Sequence, residues 1–370
     1  MQNKIKNVVV TGVFLCFLSF FVIMCGVKFF HPTEYSDSER RPLAQFPEKI
    51  TWDGVLDKTV IDQFEKYTVD QFPFREFFRS VKANFQLYAL GLSENNGLAV
   101  KDGYIAKIEP EFTPELLEYS IGRLQYVYDK YLKENGGDKF VALVPDKNYF
   151  LSEEYGYPGP DYKMLVELVK ESLGDMKYID LFGELELSDY YRTDTHWSQD
   201  KIGEVADKLL TEMGAADRVK GEYTKEKLYP FHGVYYGQSA LQPTPDTITY
   251  LTNDILKDCT VFDYETGTTT PGIYDFEKFN GKDGYDFFLS GTKALLRIDN
   301  PNATTDEELI IFRDSFGSSI APLLVEGYKS VYLVDIRYIV PDWVGNFIEF
   351  EDKDVLFLYS ALILNNKAFK

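Results

Sequence analysis

The chain has 370 residues, 45% hydrophobic and 26% charged, the balance of an ordinary globular protein with room for one large domain and an insertion, or two modest domains. Acidic residues outnumber basic ones 59 to 39, for a net charge of -20, and so negative a surface repels phosphate backbones and excludes nucleic acid as a partner. Two of the three cysteines, Cys16 and Cys25, lie in the first apolar run, so Cys259 is alone in the rest of the chain and an internal disulfide there is excluded.

The first element is the run Val8–Val27, uncharged and long enough to cross a hydrocarbon core. Lys4 and Lys6 precede it, as in an export signal. No small-x-small cleavage site follows, and Met24 stands where a lipobox before Cys25 requires a small residue, so the run is expected to stay as an uncleaved anchor. Lys28, Arg40, Arg41 and Lys49 follow the span, so charge counting alone does not orient it. The signal-like start places residues 1–30 as cytoplasmic stub and single-pass anchor, with the bulk of the chain outside the cell membrane. Residues 31–60, interrupted by Pro32, Pro42 and Pro47, read as a juxtamembrane stalk.

Residues 61–370 are expected to form the main domain. Between Asp62 and Leu90 aromatic residues recur at helical spacing (Phe64, Tyr67, Phe74, Phe78, Phe85), with Pro73 as a break, which predicts two short helices whose aromatic stripe is core. Asn95-Asn96-Gly97 and Lys101-Asp102-Gly103 are turns bracketing a short strand. An α/β rhythm follows: helix 114–132, strand 140–144 ending at Pro145-Asp146-Lys147, helix 161–173, strand 178–182, and helix 199–213 with Ser198 placed to cap it and Asp200 in its first turn. Residues 215–300, rich in Gly, Thr, Tyr and Phe, read as an insertion of short strands and loops able to line a substrate groove. Alternation resumes with strand 309–312, helix 319–325 and strands 331–334 and 355–358.

Histidine is scarce: only His31, His196 and His232 occur. In Thr193-Asp194-Thr195-His196-Trp197-Ser198, residues two apart in an extended segment project to one side, so Asp194 can orient His196 as a carboxylate orients a general base. A D-x-H pair alone is equally a satisfied loop histidine. Arg313-Asp314-Ser315-Phe316-Gly317 adds a serine between an apolar strand and a helix rich in small residues, where the amides after the nucleophile can hold an oxyanion; a serine that merely caps the helix fits the same segment. Together the two segments supply nucleophile, base and orienting acid. Zinc is the rival use of Asp194 and His196, but a catalytic zinc commonly takes three protein ligands and only His232 remains to offer a second imidazole.

These segments resemble the DHHW family and, more broadly, the AlgX- and AlgJ-type alginate-acetylation proteins with an SGNH-hydrolase-like domain. The matching residues are Asp194-Thr195-His196-Trp197, Arg313-Asp314-Ser315-Phe316-Gly317, Pro145-Asp146-Lys147 and Asp335-Ile336-Arg337-Tyr338. Glu39-Arg40-Arg41-Pro42-Leu43-Ala44 and Asp70-Gln71-Phe72-Pro73-Phe74-Arg75 are similar to the family's N-terminal region. Thr195 departs from the pattern, standing where the family's name has a histidine; the alginate proteins are similar in needing only the D-x-H pair.

The resemblance implies a three-layer α/β/α fold of SGNH-hydrolase type, here with a strand-rich insertion at about 215–300. It implies acetyl transfer onto an exported cell-surface polysaccharide, with acetyl groups supplied by a membrane-bound O-acyltransferase partner and no cofactor. Ser315, His196 and Asp194 would be the catalytic triad. Gly291 is a candidate second oxyanion donor or a plain turn, Arg337 a site residue or an ion pair, and Lys147 is open in the same way. An acetylesterase uses the same triad with water as acceptor, and a non-catalytic glycan-binding or scaffold protein of a polymer-export complex would have no need of all three residues.

Overall fold

The structure, a computed structural model, describes residues 2–370. The chain divides into two units, one running to Asn95 and including Tyr236–Gln242, the other comprising Asn96–Tyr235 and Pro243–Lys370.

The first unit opens with α1 (Gln2–Phe30), whose Lys4–Phe30 stretch is long and apolar enough to cross a membrane and is unburied. Three further helices follow: α2 (Trp52–Leu56), α3 (Thr59–Asp70) and α4 (Arg75–Asn84). The break between α3 and α4 falls at Pro73, as its missing N–H and fixed φ require. Within the segment expected as a stalk, Thr33, Arg41 and Ala44 are hydrogen-bonded to the end of α3 and the residue after it. Asp70 accepts both guanidinium nitrogens of Arg41 at 2.8 and 2.7 Å and the Ala44 amide at 2.9 Å, while the Gln71 side chain bridges Thr33 and Ala44. The aromatic stripe also departs from expectation: Tyr67 is buried, but Phe64, Phe74, Phe78 and Phe85 are exposed.

In the second unit a hairpin of β1 (Leu98–Lys101) and β2 (Tyr104–Lys107) turns through Asp102 and Gly103, both at positive φ, as the two central residues of a tight hairpin turn require. The main sheet has eight strands. Five are parallel: β3 (Lys139–Val144), β4 (Lys177–Asp180), β10 (Glu308–Arg313), β11 (Ser330–Val334) and β12 (Asp354–Ser360). Three antiparallel strands, β7 (Thr260–Asp263), β8 (Thr268–Pro271) and β9 (Leu295–Asp299), complete the order β8-β7-β9-β11-β10-β12-β3-β4.

Both faces of the sheet are covered, which is why the central strands are continuous apolar runs rather than alternating ones. Phe140, Ala142, Leu309, Ile311 and Leu356 point into one core with α8 (Gly203–Glu212) and α9 (Gly317–Leu324). Val141, Leu143, Ile310, Phe312 and Phe357 point into the other with α5 (Pro114–Val127) and α7 (Tyr162–Ser172). The region read as an insertion therefore splits. β5 (Thr224–Phe231) and β6 (Asp246–Thr252) form a separate ribbon, but β9 pairs with β11, β7 with β9 and β8 with β7, so these three strands extend the central sheet.

Candidate active site

Ser315 sits between the end of β10 and the start of α9, at the carboxyl end of a parallel strand. Asp194 and His196 lie in the loop between β4 and α8, folded into a tight hairpin by the Tyr190–Trp197 bridge, the Tyr191 amide on His196 O at 3.0 Å and the Ser198 amide on Asp189 O at 2.7 Å. The two segments, 119 residues apart in sequence, meet: His196 Nε2 is 2.7 Å from Ser315 Oγ, and His196 Nδ1 is 2.6 Å from Asp194 Oδ1.

Asp194 is 1% exposed and fully engaged. Its Oδ1 also accepts the His196 amide at 3.1 Å, and its Oδ2 accepts the Val234 amide at 2.7 Å. Burial by itself pushes this carboxyl up, but an imidazolium at His196 and these donors more than compensate and hold it well below the usual carboxylate range. An ionised Asp194 fixes the imidazole with Nδ1–H toward itself, leaving Nε2 to face the serine.

The imidazole is held on its face as well. The Tyr285 ring stacks on it at 3.7 Å between centroids and 5° between planes. Tyr285 Oη and Trp197 Nε1 each donate to Ser319 Oγ at 2.8 Å, so one hydroxyl on α9 locates both rings. Gln199, fully buried, joins three elements: its Nε2 donates to Ser319 O on α9 at 2.8 Å, and its Oε1 accepts the Leu251 amide of β6 at 2.7 Å and Tyr274 Oη at 3.2 Å. Asp246 takes the Arg192 amide at 3.0 Å and the amide and hydroxyl of Thr193 at 2.7 and 2.6 Å. Tyr285, Gln199, Ser319 and Asp246 were not singled out from sequence, because each acts through a partner at least 34 residues away or through a backbone group, and no local pattern marks them.

The amides after the nucleophile are not free for an oxyanion. Phe316 N donates to Asp314 Oδ1 at 3.0 Å, Gly317 N to Asp314 O at 3.1 Å and Ser318 N to Ser315 O at 3.1 Å. Asp314 Oδ2 in turn accepts the amide and hydroxyl of Ser360, at the end of β12, at 3.0 and 2.6 Å. Ser198 does not cap the following helix; its hydroxyl donates to Asp200 Oδ1 at 2.7 Å, and residues 199–201 form a single 3-10 turn before α8.

The remaining candidates are each engaged. Gly291 lies in a turn at φ +78°, its amide donating to Phe288 O at 3.3 Å, with no room for a side chain beside Asp286. Arg337 is a mostly buried ion pair, its Nε and Nη2 on the carboxylate of Asp335 at 2.8 and 2.6 Å. Lys147 is 3% exposed, and its Nζ donates to Tyr191 O at 3.0 Å and Arg192 O at 3.3 Å, in the loop segment that leads into Asp194. Burial pushes its amine down to about 7, against the pull of Asp194 and Asp246. His232 is exposed on the neighbouring loop.

Residues 179–334 match the DHHW protein family. No curated protein matches the chain. Among solved structures, a DHHW family protein from Eubacterium siraeum is 22% identical, with a TM-score of 0.60 over 74% of this chain and 94% of its own. Bacillus cereus PatB1, determined with a sulfonyl adduct, is 21% identical, with a TM-score of 0.57 over 74% of this chain and 99% of its own. The O-acetyltransferase domain of Pseudomonas putida AlgJ is 15% identical, with a TM-score of 0.45 over 73% and 93%.

Proposed function

We propose that this chain, whose residues 179–334 carry the DHHW domain, is a membrane-anchored serine O-acetyltransferase acting on an exported cell-surface polysaccharide. The observation that carries the reading is the hydrogen-bond chain Ser315 Oγ–His196 Nε2 and His196 Nδ1–Asp194 Oδ1, at 2.7 and 2.6 Å. The acetyl group, the polysaccharide, the membrane-bound O-acyltransferase partner and the SGNH-type assignment come from the resemblance of the motifs. The anchor reading comes from α1, with the amino terminus inside and the bulk of the chain extracytoplasmic.

In this mechanism His196 Nε2 takes the Ser315 proton as Oγ attacks the acetyl carbonyl. The charge on the tetrahedral oxygen falls to the Ser315 amide, since the next three amides are already committed. The imidazolium, stabilised by Asp194, returns its proton to the departing alcohol and leaves acetyl-serine. A sugar hydroxyl then attacks, giving its proton to His196 and regenerating Ser315. Water in place of the sugar makes the same site an esterase.

The test uses the full chain in detergent with p-nitrophenyl acetate, which asks little of acceptor binding. Ser315→Ala and His196→Ala should each lower ester turnover by about 10⁴-fold or more, and by similar amounts, because nucleophile and base act as one unit; Asp194→Ala should be roughly a hundredfold milder. Acetyl-serine that accumulates and discharges only on addition of an oligosaccharide marks a transferase. Equal turnover by wild type and Ser315→Ala, with no acetyl on either by mass spectrometry, overturns the catalytic reading in favour of a scaffold.

A further inference from the structure

α4 is patterned inside out. Phe74, Phe77, Phe78, Val81, Phe85 and Tyr88 fall on one side of the helix from its amino-terminal cap into the turn that follows, and all six are exposed, between 41% and 70%. Two of its three cations, Arg75 and Arg79, turn inward, while Lys82 is exposed at the edge of the stripe. Arg75 and Arg79 are only 11% and 15% exposed, Arg75 pairing with Glu39 at 2.5 Å and Asp70 at 3.2 Å, and Arg79 with Glu39 at 3.3 Å and the carbonyls of Gly237 and Gln238. A helix facing water has the reverse arrangement, with charge outward and apolar groups on the core. Glu76, at the rim, is held by Arg75 at 2.8 Å and Arg79 at 2.7 Å.

Part of this stripe meets α1. Phe20 stacks on Phe74 with centroids 5.9 Å apart, and Phe21 lies 5.8 Å from Phe72 and 6.3 Å from Phe78. Phe21 is nine residues before the end of α1 at Phe30, which at a helical rise of 1.5 Å per residue is about 13 Å along the axis. Whatever medium surrounds α1 at that level also meets the stripe.

We propose that the aromatic stripe of α4 lies in the membrane that α1 crosses, with lipid as its occupant. The inference rests on the anchor reading of α1. Phe and Tyr rings at the level where acyl chains meet glycerol are the expected lining of such a surface; Arg75 and Arg79 are turned away from it, and Lys82 at its edge has a stem long enough to hold its ammonium at the headgroups. α4 is thereby a second, shallow membrane contact that fixes how the first unit stands on the bilayer.

The test is accessibility of a nitroxide label in the full chain reconstituted into phosphatidylcholine–phosphatidylglycerol vesicles. Labels go singly at Phe77→Cys, Val81→Cys, Val13→Cys in α1 and Trp343→Cys, an exposed position in the second unit, in a background with Cys16→Ala, Cys25→Ala and Cys259→Ala. All four sites are exposed, so the label need not disturb packing. At residues 77 and 81, collision with oxygen should exceed collision with a water-soluble nickel chelate severalfold, as at 13, with the order reversed at 343. Nickel-accessible 77 and 81 beside an oxygen-accessible 13 overturns the lipid contact and keeps the anchor. A nickel-accessible 13 overturns the anchor, and this inference with it. Protection of 77 and 81 from both reagents overturns lipid in favour of a protein occupant, a second copy or an integral membrane partner.

Discussion

In the proposed mechanism the His196 imidazole must keep its ring plane while its charge changes, and two contacts divide that work. Asp194 sets the tautomer through the edge, and Tyr285 sets the plane through the face, at 3.7 Å. An aromatic pair of this kind contributes about 0.5–1.5 kcal/mol. Full expression of that energy in the transition state corresponds to a rate factor of about three to ten. Tyr285→Leu should therefore lower ester turnover by that factor with KM little changed. Tyr285→Phe, which keeps the stack and loses the bond to Ser319, should lose less; the kcat and KM of the pair check it. Lys147 gives a pH signature. Its amine titrates at about 7 in the folded chain, against about 10.4 when unfolded. Between these values the unfolded state binds the extra proton, so this residue makes stability rise with pH across that window, and it adds no slope below it. Compared with Lys147→Met, the wild type should gain roughly 3 kcal/mol between pH 7 and pH 9.5, read from urea unfolding of both chains.

Among the elements, the loop carrying Asp194 depends on a close approach by its neighbour. A Cβ on Gly233 would stand 2.3 Å from Thr193 O and 2.5 Å from Asp194 Cβ, so Gly233→Ala must push the Asp194 loop off its position. The expected result is a folded protein with strongly reduced ester turnover, whereas Gly183→Ala, with nothing within 4 Å, should stay within about 0.5 kcal/mol in stability and keep full activity. Parallel measurement of thermal unfolding and turnover separates the two effects. α6 (Lys147–Tyr155) was not among the expected elements although its ends are marked: Asp146 caps it by accepting the Asn148 amide at 2.8 Å, and Gly156 closes it at φ +71°. Its apolar residues Phe150 and Leu151 are adjacent and give no helical period, so only the caps were available as a signal.

For the whole molecule, α1 makes a direct prediction. If it spans the bilayer, the chain remains in the membrane pellet after high-salt and carbonate washes, because apolar burial is insensitive to ionic screening; a soluble chain beginning near Lys28 would mark α1 as a cleaved signal. The sequence by itself determined the α/β rhythm, since strands buried on both faces must be apolar throughout, and it determined the short list of reactive groups, since three histidines leave few choices. It also determined the break at Pro73, a purely local constraint. It could not determine that β7, β8 and β9 join the main sheet, because strand partners lie far apart in the chain and pairing is settled by which edge is open. Nor could it tell core from surface on α4, because helical periodicity marks an apolar face without saying what covers it; only the inward ion pairs of Arg75 and Arg79 decide which side faces out. The 2.7 Å approach of His196 to Ser315 is likewise a product of tertiary structure: 119 residues separate them, and the hydrogen bonds from Gln199 and Trp197 to Ser319 draw the two loops together.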